Sequence, residues 1–99
     1  MSPKRFVFHS EARTELREAI LWYRTRDRKI GTEFRLAVQD SVREIANAPH
    51  RWPIHLHKTR RYVLDRFPFS IIYLDTPELV NIVAVAHSKR KPGYWKRRL

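Results

Sequence analysis

The chain has no cysteine among its 99 residues, which excludes disulfides, thiolate metal sites and cysteine nucleophiles. Glycine occurs only twice, so a glycine-rich loop cradling phosphate has almost nothing to be built from. Gly-x-Ser-x-Gly and His-Glu-x-x-His are absent as well. No apolar run approaches the roughly 20 residues that cross a bilayer, and Met1-Ser2-Pro3-Lys4-Arg5-Phe6 lacks a signal-peptide core. The expectation is a cytoplasmic protein with no membrane partner. Acidic side chains are also scarce. Ten Asp and Glu stand against 21 Lys and Arg, for a net charge of +11 and a pI near 10.9. Such an excess calls for an anionic partner: DNA, RNA, a ribosome or an acidic protein segment.

What is present is enough apolar sequence, 42%, for one core, and the length predicts a single domain over residues 1–99. Arg5-Phe6-Val7-Phe8-His9 reads as a strand, and Ser10 as the N-cap of a helix. Ala12, Leu16, Ala19, Ile20 and Tyr23 form its apolar stripe, and Arg13, Glu15, Arg17, Glu18 and Arg24 its charged remainder. Trp22 falls off the stripe, at the margin of the core. A turn is predicted near Arg26-Asp27. A second helix then carries Phe34, Ala37, Val38, Ser41, Val42, Ile45 and Ala46 and stops at Asn47-Ala48-Pro49.

Beyond two prolines, Ile54 and Leu56 alternating with histidines predict a short edge strand, and Arg61 to Arg66 a second. Phe67-Pro68 breaks the chain before the apolar strand Phe69–Leu74. Asp75-Thr76-Pro77-Glu78 turns it into a last strand, Leu79–Ala86. The order β-α-α-β-β-β-β gives an α+β, two-layer fold, with a helical hairpin packed on one face of a mainly antiparallel sheet. In the last strand Val80, Ile82, Ala84 and Ala86 point one way and Asn81, Val83, Val85 and His87 the other. Both faces are mostly apolar, which predicts a partner over the face away from the helices.

From His87 onward six Lys or Arg occur and no Asp or Glu. Lys58, Arg61, Lys89, Arg90, Lys91 and Arg97, with Tyr94 and Trp95, are candidate target-binding residues. Their guanidinium forks match phosphate or carboxylate, and their rings can stack on bases. The plain alternative is a solvated basic surface. A metal-free ribonuclease needs a base, an acid and cations around phosphate, and His87, Arg66, Arg61 and Tyr94 are the catalytic candidates. His55-x-His57 puts two imidazoles on one strand face without a third ligand at a diagnostic spacing, so no metal and no cofactor is expected.

Three segments carry a resemblance: Glu15-Leu16-Arg17-Glu18-Ala19-Ile20-Leu21-Trp22-Tyr23, Arg66-Phe67-Pro68-Phe69-Ser70-Ile71-Ile72-Tyr73, and Ala84 through Trp95. Together they resemble the RelE/ParE superfamily of bacterial toxins. The resemblance implies the toxin of a type II toxin-antitoxin pair, bound in a hetero-oligomer by a cognate antitoxin with an acidic or amphipathic segment. The superfamily divides between inhibitors of DNA gyrase and nucleases that cut mRNA on the ribosome. The Phe-Pro-Phe-x-Ile-Ile-Tyr strand and the helix ending in Trp-Tyr look more like the ParE, gyrase-directed side. His87 and Arg66 fall near the catalytic His and Arg of some of the nucleases. Those enzymes carry an aromatic directly after the histidine, whereas here Tyr94 comes seven residues later. A small basic nucleic-acid-binding module is the reading outside the superfamily, with no recognition helix to favour it.

Overall fold

One residue separates the first strand from the first helix in the computed structural model, which describes residues 2–99. Strand β1 (Arg5–Phe8) leads into α1 (Ser10–Arg26), and the N-cap is His9 rather than Ser10. Its Nδ1 accepts the backbone N–H of Glu11 at 3.1 Å, doing the work expected of the serine. Asp27 alone makes the turn. Its N–H donates to the Tyr23 carbonyl at 2.8 Å, closing α1, and its carboxylate accepts the Lys29 N–H at 2.9 Å, opening α2 (Arg28–Asn47).

Gly31 therefore lies inside α2, not in a loop. It is buried where the hairpin pinches: a Cβ there would stand 3.0 Å from Arg24 Cβ and 3.1 Å from the Arg24 backbone. The absent side chain lets the two helices meet closely at their joined end. Farther along, Phe34, Val38, Val42 and Ile45 face the sheet and are all but fully buried. Tyr23, Phe34, Phe67 and Phe69 form an aromatic cluster with ring centroids 5.0 to 6.4 Å apart.

Three more strands complete the sheet: β2 (Arg60–Val63), β3 (Phe69–Asp75) and β4 (Leu79–His87). Their spatial order is β1-β4-β3-β2, with β1 parallel to β4 and the other pairs antiparallel. The α+β class and the helical hairpin on one face are as expected. The strand expected at Ile54 and Leu56 is not formed, so the order is β-α-α-β-β-β. His57 and Lys58 adopt left-handed backbone angles, φ 56° and 64°, within a 3-10 turn over Leu56–Lys58. An extended ladder cannot pass through that turn, and a single bridge between Ile54 and Arg60 remains.

The alternation read along β4 also fails at one point. Ile72 pairs with Ala84 but Tyr73 with Ile82, leaving Val83 as the extra residue of a bulge. The bulge shifts the pleat by one. Val80, Ile82 and Val85 join the helix-side core, and Val83 and Ala84 turn to the opposite face. That opposite face is covered in part by the chain itself: Trp95, only 2% exposed, packs there on Ile72, Val83 and Ala84. Gly93, at φ +80°, makes the turn that brings it back. Among the described residues, no helix is long and apolar enough to cross a membrane.

Candidate functional site

Strand β1 ends opposite Ile82, so β4 continues from Val83 to His87 with no neighbour on that side. Two side chains replace the missing strand. Glu15 of α1 accepts the Val85 N–H at 3.0 Å, and Arg98 of the tail donates to the Val83 carbonyl at 3.0 Å. The same two form a bidentate pair at 2.9 Å, and the Tyr94 hydroxyl donates to Glu15 at 2.6 Å. Side-chain exposures of 13% for Glu15 and 8% for Arg98 make this an ion pair of the interior. Burial, the hydrogen bond to Glu15 and the charge of Glu15 all push the Tyr94 phenol up from its ordinary value.

Neither partner of this lock was singled out from the sequence. By sequence Glu15 belongs to the charged remainder of α1, and the tail candidate is Arg97 rather than Arg98. A signal for Glu15 existed: it lies three residues after Ala12 and four before Ala19, both buried, so it shares their side of the helix. For Arg98 there was none, because its position depends on where the tail lands.

The tail and the open end of the sheet enclose a cleft of about 210 Å³ where β4 ends and β3 begins. Its apolar lining includes Val63, Phe67, Phe69, Ile72 and Ala86; its charged lining is Arg61, Arg90 and Lys91, with the imidazoles of His55 and His87 and the hydroxyls of Ser70 and Ser88 beside them. No carboxylate lines it, and Arg61, Arg90 and Lys91 make no ion pair among the described residues. Burial, with the nearby charge of Arg61, lowers the His55 pKa. His87 meets the Phe69 ring edge-on at 4.9 Å, and its Nδ1 accepts the Lys89 N–H at 3.0 Å, which leaves Nε2 free for other work.

The candidates are thus divided. Arg61, His87, Arg90 and Lys91 share the cleft. Tyr94 borders it, but its hydroxyl is bound to Glu15. Trp95 is buried beneath it. Arg66 lies in the turn before β3, paired with Glu33 of α2 at 3.0 Å, and does not line the cleft. Lys89 borders a second cavity, of about 540 Å³, on the helix side, which holds Trp22, Tyr23, Glu18 and, shared with the cleft, Phe69, His87, Arg90 and Tyr94. Lys58 and Arg97 are exposed and line neither. His55 and His57 flank the Trp95 ring at 6.2 and 6.0 Å, and no cluster of three His, Cys, Asp or Glu suited to a metal occurs among the described residues.

A different surface lies along β1. A groove of about 800 Å³ runs between this edge strand and the helices, lined by Phe6, Phe8, Leu16, Val38, Val42 and Ala46 and rimmed by Lys4, Arg5 and Arg43. No carboxylate lines it, and Phe6 and Val7 of β1 are 46% and 42% exposed. Apolar surface is therefore left open to a partner here, whereas Trp95 covers part of the opposite face.

This arrangement, a helical hairpin on a four-stranded sheet closed by a basic tail, has the fold of a solved toxin-antitoxin component. A chain of a structure titled "Chromosomal ParDE TA system from P. aeruginosa" superposes with a TM-score of 0.77 at 13% identity, over 87% of this chain and 97% of that one. No curated protein matches the sequence significantly. The family described as "ParE toxin of type II toxin-antitoxin system, parDE" matches residues 6–92, and the chain belongs to that family.

Proposed function

We propose that this toxin arrests growth by binding DNA gyrase and blocking supercoiling, and that a cognate antitoxin neutralises it in a hetero-oligomer. One observation carries the choice of a binding mechanism over a cutting one. The groups that a metal-free nuclease would gather are committed elsewhere: the Tyr94 hydroxyl to Glu15 and the Arg66 guanidinium to Glu33. A general acid held by a carboxylate, with its pKa raised, transfers a proton poorly near neutral pH. Membership of the ParE family supports gyrase as the target.

The antitoxin's place is the β1 groove. An extended segment would add its backbone to the open edge of β1, its apolar side chains filling the groove and its acidic ones meeting Arg5 and Arg43. The test is a supercoiling assay on relaxed plasmid with purified toxin. Supercoiling should stop at saturating toxin and return when the antitoxin is added; uninterrupted supercoiling overturns the reading. A second reading, a ribosome-dependent mRNA endonuclease, has in its favour that His87 and Arg61 line one cleft. Transcripts cut within codons after induction would establish it.

A further inference from the structure

We infer, on the reading that gyrase is the target, that the cavity between α1 and the tail is where this toxin seats a helix of gyrase by its large apolar side chains. The first ground is an exposed tryptophan held in one place. Trp22 is 52% exposed, yet the Arg26 guanidinium lies 3.5 Å from its ring centroid and Tyr23 meets it edge-on at 5.1 Å. Arg26 is fixed in turn, donating to the Trp22 carbonyl at 3.0 Å and to Thr25 Oγ1 at 3.3 Å. On the tail side of the cavity Tyr94 is held in the same manner: the Arg90 guanidinium sits 3.9 Å from its ring centroid, and its hydroxyl donates to Glu15. Rings ordered before binding lose little freedom when a partner arrives, and Trp, Tyr and Arg are the types in which binding energy concentrates.

Between these walls lie Ala19, Phe69 and Val85, and a volume of about 540 Å³ is within the range that buries an apolar body. The sheet limits what can enter. Glu15 and Arg98 seal the β4 edge beside the cavity, so a partner finds no open backbone ladder there and must bind by side chains. A helix presents such side chains three and four residues apart on one face. The charges around the opening give that helix a direction. Glu15 is neutralised by Arg98, which leaves Glu18 on the α1 side against Lys89 and Arg90 on the tail side, and none of these three makes an ion pair among the described residues. The fitting helix carries a carboxylate at the tail end of its apolar stripe and a Lys or Arg at the α1 end. The β1 groove shares no lining residue with this cavity, so antitoxin and gyrase have separate seats on the toxin.

The test titrates full-length toxin by calorimetry into purified gyrase without DNA, and separately into the antitoxin. Trp22→Ala should weaken gyrase binding at least about tenfold, and Leu21→Ala, at a neighbouring position 55% exposed, less than about threefold. Two opposite charge changes separate the cavity from the general charge of +11. Glu18→Lys and Lys89→Glu, both at exposed positions, should each weaken gyrase binding by about three- to tenfold, although the first adds positive charge and the second removes it. Neither disturbs packing, so the pair decides the matter even where Trp22→Ala fails to fold. Antitoxin binding should stay within about twofold of wild type throughout.

Tighter gyrase binding by Glu18→Lys assigns the attraction to charge alone and overturns the inference. Unchanged gyrase binding by both charge variants and by Trp22→Ala overturns it too, while gyrase remains the target if the wild type still stops supercoiling. Wild-type toxin that neither binds gyrase nor stops supercoiling overturns target and seat together. Antitoxin affinity that falls in step with gyrase affinity gives the cavity to the antitoxin and likewise overturns the inference.

Discussion

Glu15 does at the residue scale what a strand does elsewhere in the sheet. Its two oxygens accept from a backbone amide, a phenol and a guanidinium, so removing it leaves the Val85 amide and the Tyr94 phenol without an acceptor and Arg98 with only the Val83 carbonyl and the more distant Glu11. Truncation of one partner in a buried pair typically costs about 3–5 kcal/mol, far above the cost at a surface pair. Glu15→Ala should lower the urea-unfolding free energy by about 3 kcal/mol, and Glu15→Gln, which keeps one acceptor, by less. A loss below about 1 kcal/mol would mean that the lock is only a surface contact. The exposed pair Arg43–Asp40, 70% and 69% exposed, is the internal control, and its removal should pass unnoticed.

At the scale of elements, Gly31 sets propensity against packing. In a helix interior Gly→Ala ordinarily stabilises by about 1 kcal/mol. Here the new methyl would press on the backbone of Arg24, and overpacking costs about 1–3 kcal/mol. Gly31→Ala should therefore destabilise, with the thermal midpoint falling by several degrees; a rise would show that the hairpin opens freely. The elements are also where sequence reading did best. Periodicity located both helices, because each carries its apolar residues on one side, and alternation with turn residues located β3 and β4. It failed at His57, Lys58 and Val83. Left-handed angles at a histidine and a lysine carry no compositional mark, and a bulge is set by the partner strand rather than by the bulged one. The cleft was half legible. Its cations stood out as a basic tail, but their meeting with Arg61 depends on the return of Trp95 to the sheet, which neither charge nor period encodes.

For the molecule as a whole, two phenols tie irregular segments to its body, Tyr73 the loop after α2 and Tyr94 the tail. Tyr73 donates to the Pro49 carbonyl at 2.6 Å and has its pKa pushed up to about 12, chiefly by burial, while Tyr94 is raised at the Glu15 lock. Both are neutral in the fold and ionise more readily once unfolded. Their contribution is complete below the ordinary phenol pKa near 10 and is lost as the pH rises through the folded values. Urea midpoints should thus fall steeply between pH 10 and 12, and Tyr73→Phe, though less stable at neutral pH, should show a shallower decline. An identical slope in the variant would separate Tyr73 from the alkaline transition.

The seal on β4 bears on how this protein survives at high concentration. From Val83 onward β4 lacks a neighbour on its β1 side, and an unpaired row of amides beside apolar side chains is a template on which further copies can grow. Glu15 and Arg98 occupy those positions with charge, so that a newcomer would have to break a buried ion pair before forming its first ladder bond. The last turn of the chain thereby guards the molecule against its own copies.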